Sequence, residues 1–404
     1  MPVARPTVLV LASTYPRWAG DPEPGFVHEL ARRLTGRFRV LALVPHAPGA
    51  KKREVLDGVE VVRYRYAPEA WETLVNSGGI VSNLRRARWK LLLVPGFVLA
   101  QAWTAWHLLR RERIDVIHAH WLIPQGLIAA LLQSLPGRKV PFVATAHGSD
   151  VQALRGSTMD AARKFVVRRS AAATAVSAML RDQLVAGSAQ GERTRILPMG
   201  VDLEHRFVPD TVVTRSGAQL LFVGRLVEGK GVDRLLDAMP AVLHRVPDAR
   251  LTIVGDGPLS IALHAQAQRL GIFDAVTFRG ALAQSELPDL YRRASLFVAP
   301  FGWREGLGLV LVEALGCGCP VLAGDAPAVA DILGENWRQH TVDASDTGAL
   351  SSRIIDTLLA LEPARKQAEH LRTRVMARFD WQVVADRHAQ LLGECIAGGA
   401  RAPR

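Results

Sequence analysis

The sequence predicts an α/β protein made of two doubly wound parallel sheets in tandem, facing each other across a cleft. Short β-branched runs closed by Gly, Pro or Asp alternate with segments of helical period from the start of the chain, and the same alternation begins afresh at 219. Strands that alternate with helices form parallel sheets covered on both faces. Such sheets bind ligands outside the carboxyl ends of their strands, so two of them in one chain place a cleft between those ends.

In the first half, strand-like runs fall at 7–12, 39–45, 60–66, 115–120, 140–146, 173–176 and 194–198. Between the first two, residues 26–34 put Val27, Leu30, Ala31 and Leu34 on one side, which is helical spacing. The second series runs 219–223, 251–254, 276–279, 296–300 and 320–323, again with helices between. The join belongs after Gly200-Val201-Asp202, around 205–216, giving domains 1–205 and 206–380 and a terminal helical stretch at 381–397. The halves repeat in architecture but not in sequence, and no segment is of low complexity.

A chain of 404 residues has room for two or three domains with large cores. Its 49% apolar and 22% charged content is ordinary for a soluble globular protein. The apolar run at 7–12 is too short for a secretory leader and reads as a first strand, so a cytosolic location is expected. Cys317, Cys319 and Cys395 are too few for a disulfide framework. Charge is uneven: residues 1–206 hold 29 Lys and Arg against 16 Asp and Glu, +13, while the rest is close to neutral. A basic half attracts nucleic acid or an anionic membrane surface. No ribonucleoprotein-type aromatic strand, zinc-ligand spacing or long basic recognition helix is present, so no nucleic-acid partner is expected.

The most constrained stretch is Phe-Gly-Trp-Arg-Glu-Gly-Leu-Gly-Leu-Val-Leu-Val-Glu-Ala-Leu-Gly-Cys-Gly-Cys-Pro-Val-Leu-Ala at 301–323, a glycine-broken loop, a helix and a short strand. Glu305 lies just before the helix and Glu313 about two turns inside it, so the two carboxylates reach different parts of one ligand. Amides of Gly306, Gly308 and Leu309 stand unpaired at the positive end of the helix dipole, which suits a phosphate or an electron-rich oxygen. Two acids beside an anion site fit a phosphorylated sugar. Upstream, Gly-Arg-Leu-Val-Glu-Gly-Lys-Gly at 224–231 joins a strand to a helix. It holds Arg225 and Lys230 near a helix amino end, with glycines that let the backbone approach a ligand.

The Glu-x7-Glu spacing followed by Glu-Ala-Leu-x-x-Gly-x-Pro-Val resembles the donor site of the retaining glycosyltransferases of family 4, and in particular bacterial cell-surface polysaccharide enzymes. The resemblance implies the GT-B fold, two Rossmann-like domains with the terminal helix crossing back onto the first. It implies that Glu313 holds the ribose of a UDP- or GDP-linked sugar. Glu305 with Gly306, Leu307, Gly308 and Leu309 would hold the sugar, and Gly224, Arg225 and Lys230 the diphosphate. Two fixed cations there can stabilise the leaving phosphate, where other transferases use a metal, so neither metal nor cofactor is expected. Gly255, in Gly-Asp-Gly-Pro at 255–258, stands near base and ribose in the family, though the sequence is also simply a good turn. Gly25 ends a loop, 20–25, matching the one that closes over donor and acceptor.

In the first domain the resemblance sets His147, within His-Gly-Ser-Asp at 147–150, against the donor sugar or its leaving phosphate. Asp150 either orients a substrate hydroxyl or caps the next helix. His118 and His120 face the same side of a strand, but no third metal ligand is evident, and His120 with Trp121 reads as lining the acceptor side. Residues 85–111 hold a nineteen-residue uncharged run interrupted by Pro95-Gly96 and flanked by arginines, with tryptophans at 89, 103 and 106. It reads as a buried helix pair, a patch resting on lipid, or a membrane span. The sequence departs from the family at Pro-Ala-Val-Ala-Asp, 327–331, where Gly-Gly-x-x-Glu is common, and at Met199, where Asn commonly precedes Gly-Val-Asp. The expected activity is transfer to a lipid-linked saccharide at the inner face of the plasma membrane, by a peripheral enzyme. The alternatives are a GT-B epimerase or phosphorylase, or a non-catalytic sugar-nucleotide binder.

Overall fold

The structure, a computed structural model, describes the chain except residues 1–4, 22–24, 77–78, 136–138, 155, 187–193, 211–212, 214, 216, 303–305 and 402–404, and the side chains of 400 and 401. Contacts divide the chain into two compact units, Met1–Gly200 with Trp381–Arg404, and Val201–Asp380. Val201 belongs with the second because it bridges Asp380.

The first unit is an eight-stranded sheet in the order β3-β4-β2-β1-β5-β6-β7-β8. The strands are β1 Thr7–Leu11, β2 Arg39–Pro45, β3 Arg53–Leu56, β4 Val59–Tyr64, β5 Val116–His120, β6 Phe142–Ala146, β7 Ala172–Ala175 and β8 Thr194–Ile196. All pairs are parallel except β3 with β4. Strands β1, β5 and β6 are buried at every position, so they read as continuous apolar runs rather than alternating ones. Strand β3 was not expected from the sequence. It is half-exposed and charged, Arg53-Glu54-Val55, which blunts a sheet edge against further pairing. Its turn is Asp57-Gly58, both at positive φ, a two-residue hairpin loop whose signature does stand in the sequence.

The helices of this unit are α1 Phe26–Leu34, α2 Gly79–Arg86, α3 Leu93–Arg111, α4 Leu127–Leu132, α5 Ser149–Gln152, α6 Ser157–Arg169 and α7 Ala178–Val185. Helix α1 buries the Val27, Leu30, Ala31 and Leu34 face that its spacing predicted. Residues 93–111 form one helix, not two: Pro95 sits in the first turn, where its missing N–H breaks no helical bond. Gly96 follows because a Cβ there would stand 2.7 Å from the carbonyl oxygen of Tyr66.

The second unit is a six-stranded, all-parallel sheet in the order β11-β10-β9-β12-β13-β14. Its strands are β9 Gln219–Val223, β10 Arg250–Val254, β11 Val276–Phe278, β12 Leu296–Ala299, β13 Val321–Gly324 and β14 Thr341–Val342. Its helices are α8 Val232–Arg245, α9 Ser260–Arg269, α10 Leu287–Arg293, α11 Leu309–Gly316, α12 Pro327–Leu333, α13 Thr347–Leu359 and α14 Leu361–Phe379. Strand β14, two residues long, has no periodicity to betray it. The last helix, α15 Trp381–Arg401, belongs to the first unit and packs on α1, β5 and β6. Gly200 makes room for it, since a Cβ there would lie 2.5 Å from the Trp381 ring.

Both sheets reverse direction of growth at one point, between β1 and β5 and between β9 and β12. Ligands of doubly wound sheets bind at the carboxyl ends beside such points.

Candidate functional site

In the second unit, the loops leaving β9, β10, β12 and β13 lock together through glycines. A Cβ on Gly255 would stand 1.8 Å from the Gly224 oxygen, one on Gly257 2.3 Å from that of Leu226, one on Gly231 2.1 Å from that of Pro300, and one on Gly324 2.0 Å from that of Phe301. Gly255 also has φ +136°, which side-chain-bearing residues rarely adopt. The result is a crest of close-packed backbone at the carboxyl end of the sheet. Gly302 N–H donates to the Gly229 oxygen at 2.9 Å, tying the Arg225 and Lys230 loop to the one that leads into α11. Arg225 is exposed, and the Lys230 ammonium lies 4.6 Å from the centre of the Phe301 ring.

Helix α11 begins at Gly308, whose left-handed φ of 73° turns the chain into the first turn. Leu311 N–H bonds back to Gly308, leaving the amides of Leu309 and Val310 at the helix mouth. The helix is apolar nearly all round, so it must be buried, and Glu313 is the exception. Glu313 is buried, with Tyr291 from α10 donating its hydroxyl to Oε2 at 3.0 Å and Gln284 donating its amide to Oε1 at 3.4 Å. Arg206 in turn donates to Gln284 at 2.9 Å. Burial pushes the Glu313 carboxyl up to about 7, while the Tyr291 and Gln284 bonds and the Arg206 charge pull the other way. Glu305 lies outside the described residues; Gly306, Leu307 and Gly308 lead from it into the helix.

In the first unit, β5 and β6 carry the expected histidines to their carboxyl ends. His120 Nδ1 and His147 Nε2 lie 3.0 Å apart, one donating and the other accepting. The donating ring commits its N–H and the accepting ring a lone pair, so the bond fixes both tautomers. Phe26 and Trp121 pack on the His147 ring, with centroids 5.1 and 4.9 Å away. His118 bonds Thr145, and its ring lies 4.2 Å from that of His120. His388, from α15, joins them 5.4 Å from His118. Burial holds all four rings neutral, with neighbouring imidazoles adding repulsion at His118, His120 and His147; His147 lies at about 3 and His388 at about 4. His147 thus offers a neutral imidazole, able to hydrogen-bond a hydroxyl or phosphate without adding charge.

Asp150 is fully committed to backbone. Its Oδ2 accepts from Leu122 N–H at 2.8 Å, and its Oδ1 accepts from Gly148 and His147 N–H at 3.0 and 3.2 Å. These bonds tie the β5 loop to the β6 loop and hold Trp121 at a φ of 73°, a strained conformation that only a well-determined surrounding keeps. Gly25 opens α1, with Glu29 N–H bonded to its oxygen. Of the 20–25 loop, residues 22–24 lie outside the described part.

Sequence reasoning missed Tyr291, Gln284, Arg206 and His388. Each reaches its partner from a distant element, and no local spacing marks it. Among the described residues, no group of three His, Cys, Asp or Glu side chains is placed to hold a metal ion. Cys317 and Cys319 are buried free thiols, pushed up to about 12 by burial.

Two family models match the chain: glycosyltransferase family 4 over residues 26–205 and glycosyl transferases group 1 over 211–374. The chain is 26% identical over 405 residues to a GDP-mannose-dependent alpha-(1-6)-phosphatidylinositol monomannoside mannosyltransferase of Mycobacterium tuberculosis, covering 95% of this chain and 97% of that one. It is 31% identical to the protein of the same name from Mycolicibacterium smegmatis, over 64% of this chain and 70% of the other. Among solved structures, sucrose-phosphate synthase from Thermosynechococcus elongatus superposes with a TM-score of 0.76 at 22% identity, over 98% of this chain and 100% of that one. Its two parallel α/β sheets are those of the GT-B fold, and the chain belongs to glycosyltransferase family 4.

Proposed function

We propose that this glycosyltransferase is a retaining, metal-independent hexosyltransferase that moves a sugar from a UDP- or GDP-linked donor to a lipid-linked saccharide in cell-surface polysaccharide synthesis. It would work in the cytosol, at the inner face of the plasma membrane. The observation that carries the reading is Glu313, a buried carboxylate held by two side-chain donors at the first turns of α11. Both bonds are to side chains a ligand can displace, which suits a pair of ribose hydroxyls. Arg225 and Lys230 hold the diphosphate, and Glu305 with the amides of 306–309 holds the sugar. In the reaction the bond from the anomeric carbon to the β-phosphate oxygen breaks. The acceptor oxygen bonds that carbon on the same face, and the acceptor proton passes to the leaving phosphate. The two cations stabilise the charge that appears there. The relatives named above use GDP-mannose and a phosphatidylinositol mannoside, by their names, which favours a lipid-borne acceptor here too.

The test is a panel of UDP- and GDP-hexoses with lipid extracts, read by nucleotide release and by the anomeric configuration of the product. Sugar transfer to lipid with retention is expected. Donor consumption without acceptor would mark an epimerase, a phosphate requirement a phosphorylase, and binding without turnover a non-catalytic binder.

A further inference from the structure

Helix α3 has two apolar faces where a layer helix needs one. Its inner face, Leu93, Phe97, Gln101, Ala105 and Leu108, is buried, and the helix packs on β2, β4 and α4. Its outer face should then be polar. Instead Leu92, just ahead of it, Leu99 and Trp103 are 83%, 67% and 62% exposed, with Pro95 exposed between them, at spacings of three and four residues. The segment Arg88–Arg111 is long and apolar enough to cross a membrane, with a mean hydropathy of 1.4, yet 28% of its apolar window is buried. That buried part covers the sheet, so the helix lies along the surface of the unit with most of its apolar window uncovered. Trp71 and Trp89, also exposed, pair edge-on at 6.4 Å beside its start, and Arg110 lies 4.9 Å over the Trp106 ring near its end.

The exposed charges of this face are predominantly basic, and the nearest carboxylates, Glu69 beside Trp71 and Glu112 past the end of α3, are paired with Arg65 and Arg39. From Thr73 to Arg111 the sequence contains no Asp or Glu, and Arg85, Arg86, Arg88, Arg110 and Arg111 are all exposed. A protein partner of ordinary composition would not require thirty-nine residues free of carboxylates. An anionic lipid surface would, because each arginine gains from the negative surface potential and any carboxylate would lose. Tryptophan and arginine flanking exposed leucines are what a helix lying in the headgroup region presents. We infer that the outer face of α3, with Trp71 and Trp89, rests on an anionic lipid bilayer. This rests on the membrane placement proposed above and names the surface that makes it; it is measured without donor or acceptor, so it and the transferase activity can fail separately.

The test is co-sedimentation of the full chain with vesicles of phosphatidylcholine alone, and of phosphatidylcholine mixed with phosphatidylglycerol, at low and high salt. Binding to the mixed vesicles with a blue shift of tryptophan emission is expected, weaker by about tenfold or more at high salt. The variant Leu92→Gln/Leu99→Gln/Trp103→Gln should lose binding while keeping the wild-type melting temperature, since these side chains are exposed. A second variant, Arg85→Gln/Arg86→Gln/Arg88→Gln, should lose the preference for anionic vesicles. Equal binding to both vesicle types, no binding to either, or a dimer by light scattering that the first variant abolishes would overturn the proposal.

Discussion

Asp150 and Glu313 are both buried carboxylates at the carboxyl edge of a parallel sheet, yet they are held in opposite ways. Asp150 is fixed by three backbone N–H groups, from Leu122, His147 and Gly148. Among the described residues, Glu313 is held by the side chains of Tyr291 and Gln284. Backbone donors cannot leave without unmaking the loops, whereas side-chain donors can turn aside. The first carboxylate therefore maintains shape, and the second is available to exchange partners with a ligand. Burial raises both carboxyls, but backbone N–H bonds oppose it at Asp150 and two side-chain bonds oppose it at Glu313, which is pushed up to about 7.

The largest effect should come from Asp150→Ala. It strands three buried amides and should cost about 4 kcal/mol of stability in chemical denaturation. If it instead leaves stability intact and removes acceptor turnover, the contrast drawn here is wrong. Gly255→Ala should follow at about 3 kcal/mol, because its Cβ would meet the Gly224 oxygen and its φ of +136° resists a side chain. Retained stability with unchanged nucleotide affinity would show that the crest is not rigid.

The units should also respond to pH with opposite signs, which hydrogen exchange at β5 and at α11 can read separately. The four imidazoles have folded values below 6.5, so the unfolded chain binds more protons and their contribution falls as pH drops below about 6.5. Glu313 is raised from 4.5 to about 7, so the folded form holds the proton more tightly; its contribution is greatest below 4.5 and lost as pH rises to about 7. Glu313→Gln should flatten the second dependence only. The smallest effect belongs to Tyr291→Phe. Losing the hydroxyl bond should move the Glu313 midpoint upward, since that bond lowers it, and the larger protonated fraction at neutral pH should then weaken nucleotide binding by about 1 kcal/mol or less.

Much of this was legible because parallel sheets need buried strands, and buried strands need apolar runs, which the sequence shows plainly at β1, β5, β6, β9 and β12. Strand β3 escaped because an edge strand is charged and half-exposed, although Asp57-Gly58 advertised its hairpin. Glu313 was visible through spacing within one helix. Its partners were not, since Tyr291 and Gln284 meet it only through tertiary packing from some twenty to thirty residues away. The dual apolar character of α3 was apparent as composition, but only the fold shows which face is covered.

The account turns on Glu313 being a donor ligand whose ionisation governs binding. Titrating UDP and GDP calorimetrically into wild type and Glu313→Gln from about pH 6 to about pH 8 tests this most directly. Wild-type affinity for the preferred nucleotide should rise with pH through about 7, and the variant should bind about a hundredfold more weakly with no such slope. Equal affinities with equal pH dependence in the two proteins would contradict it.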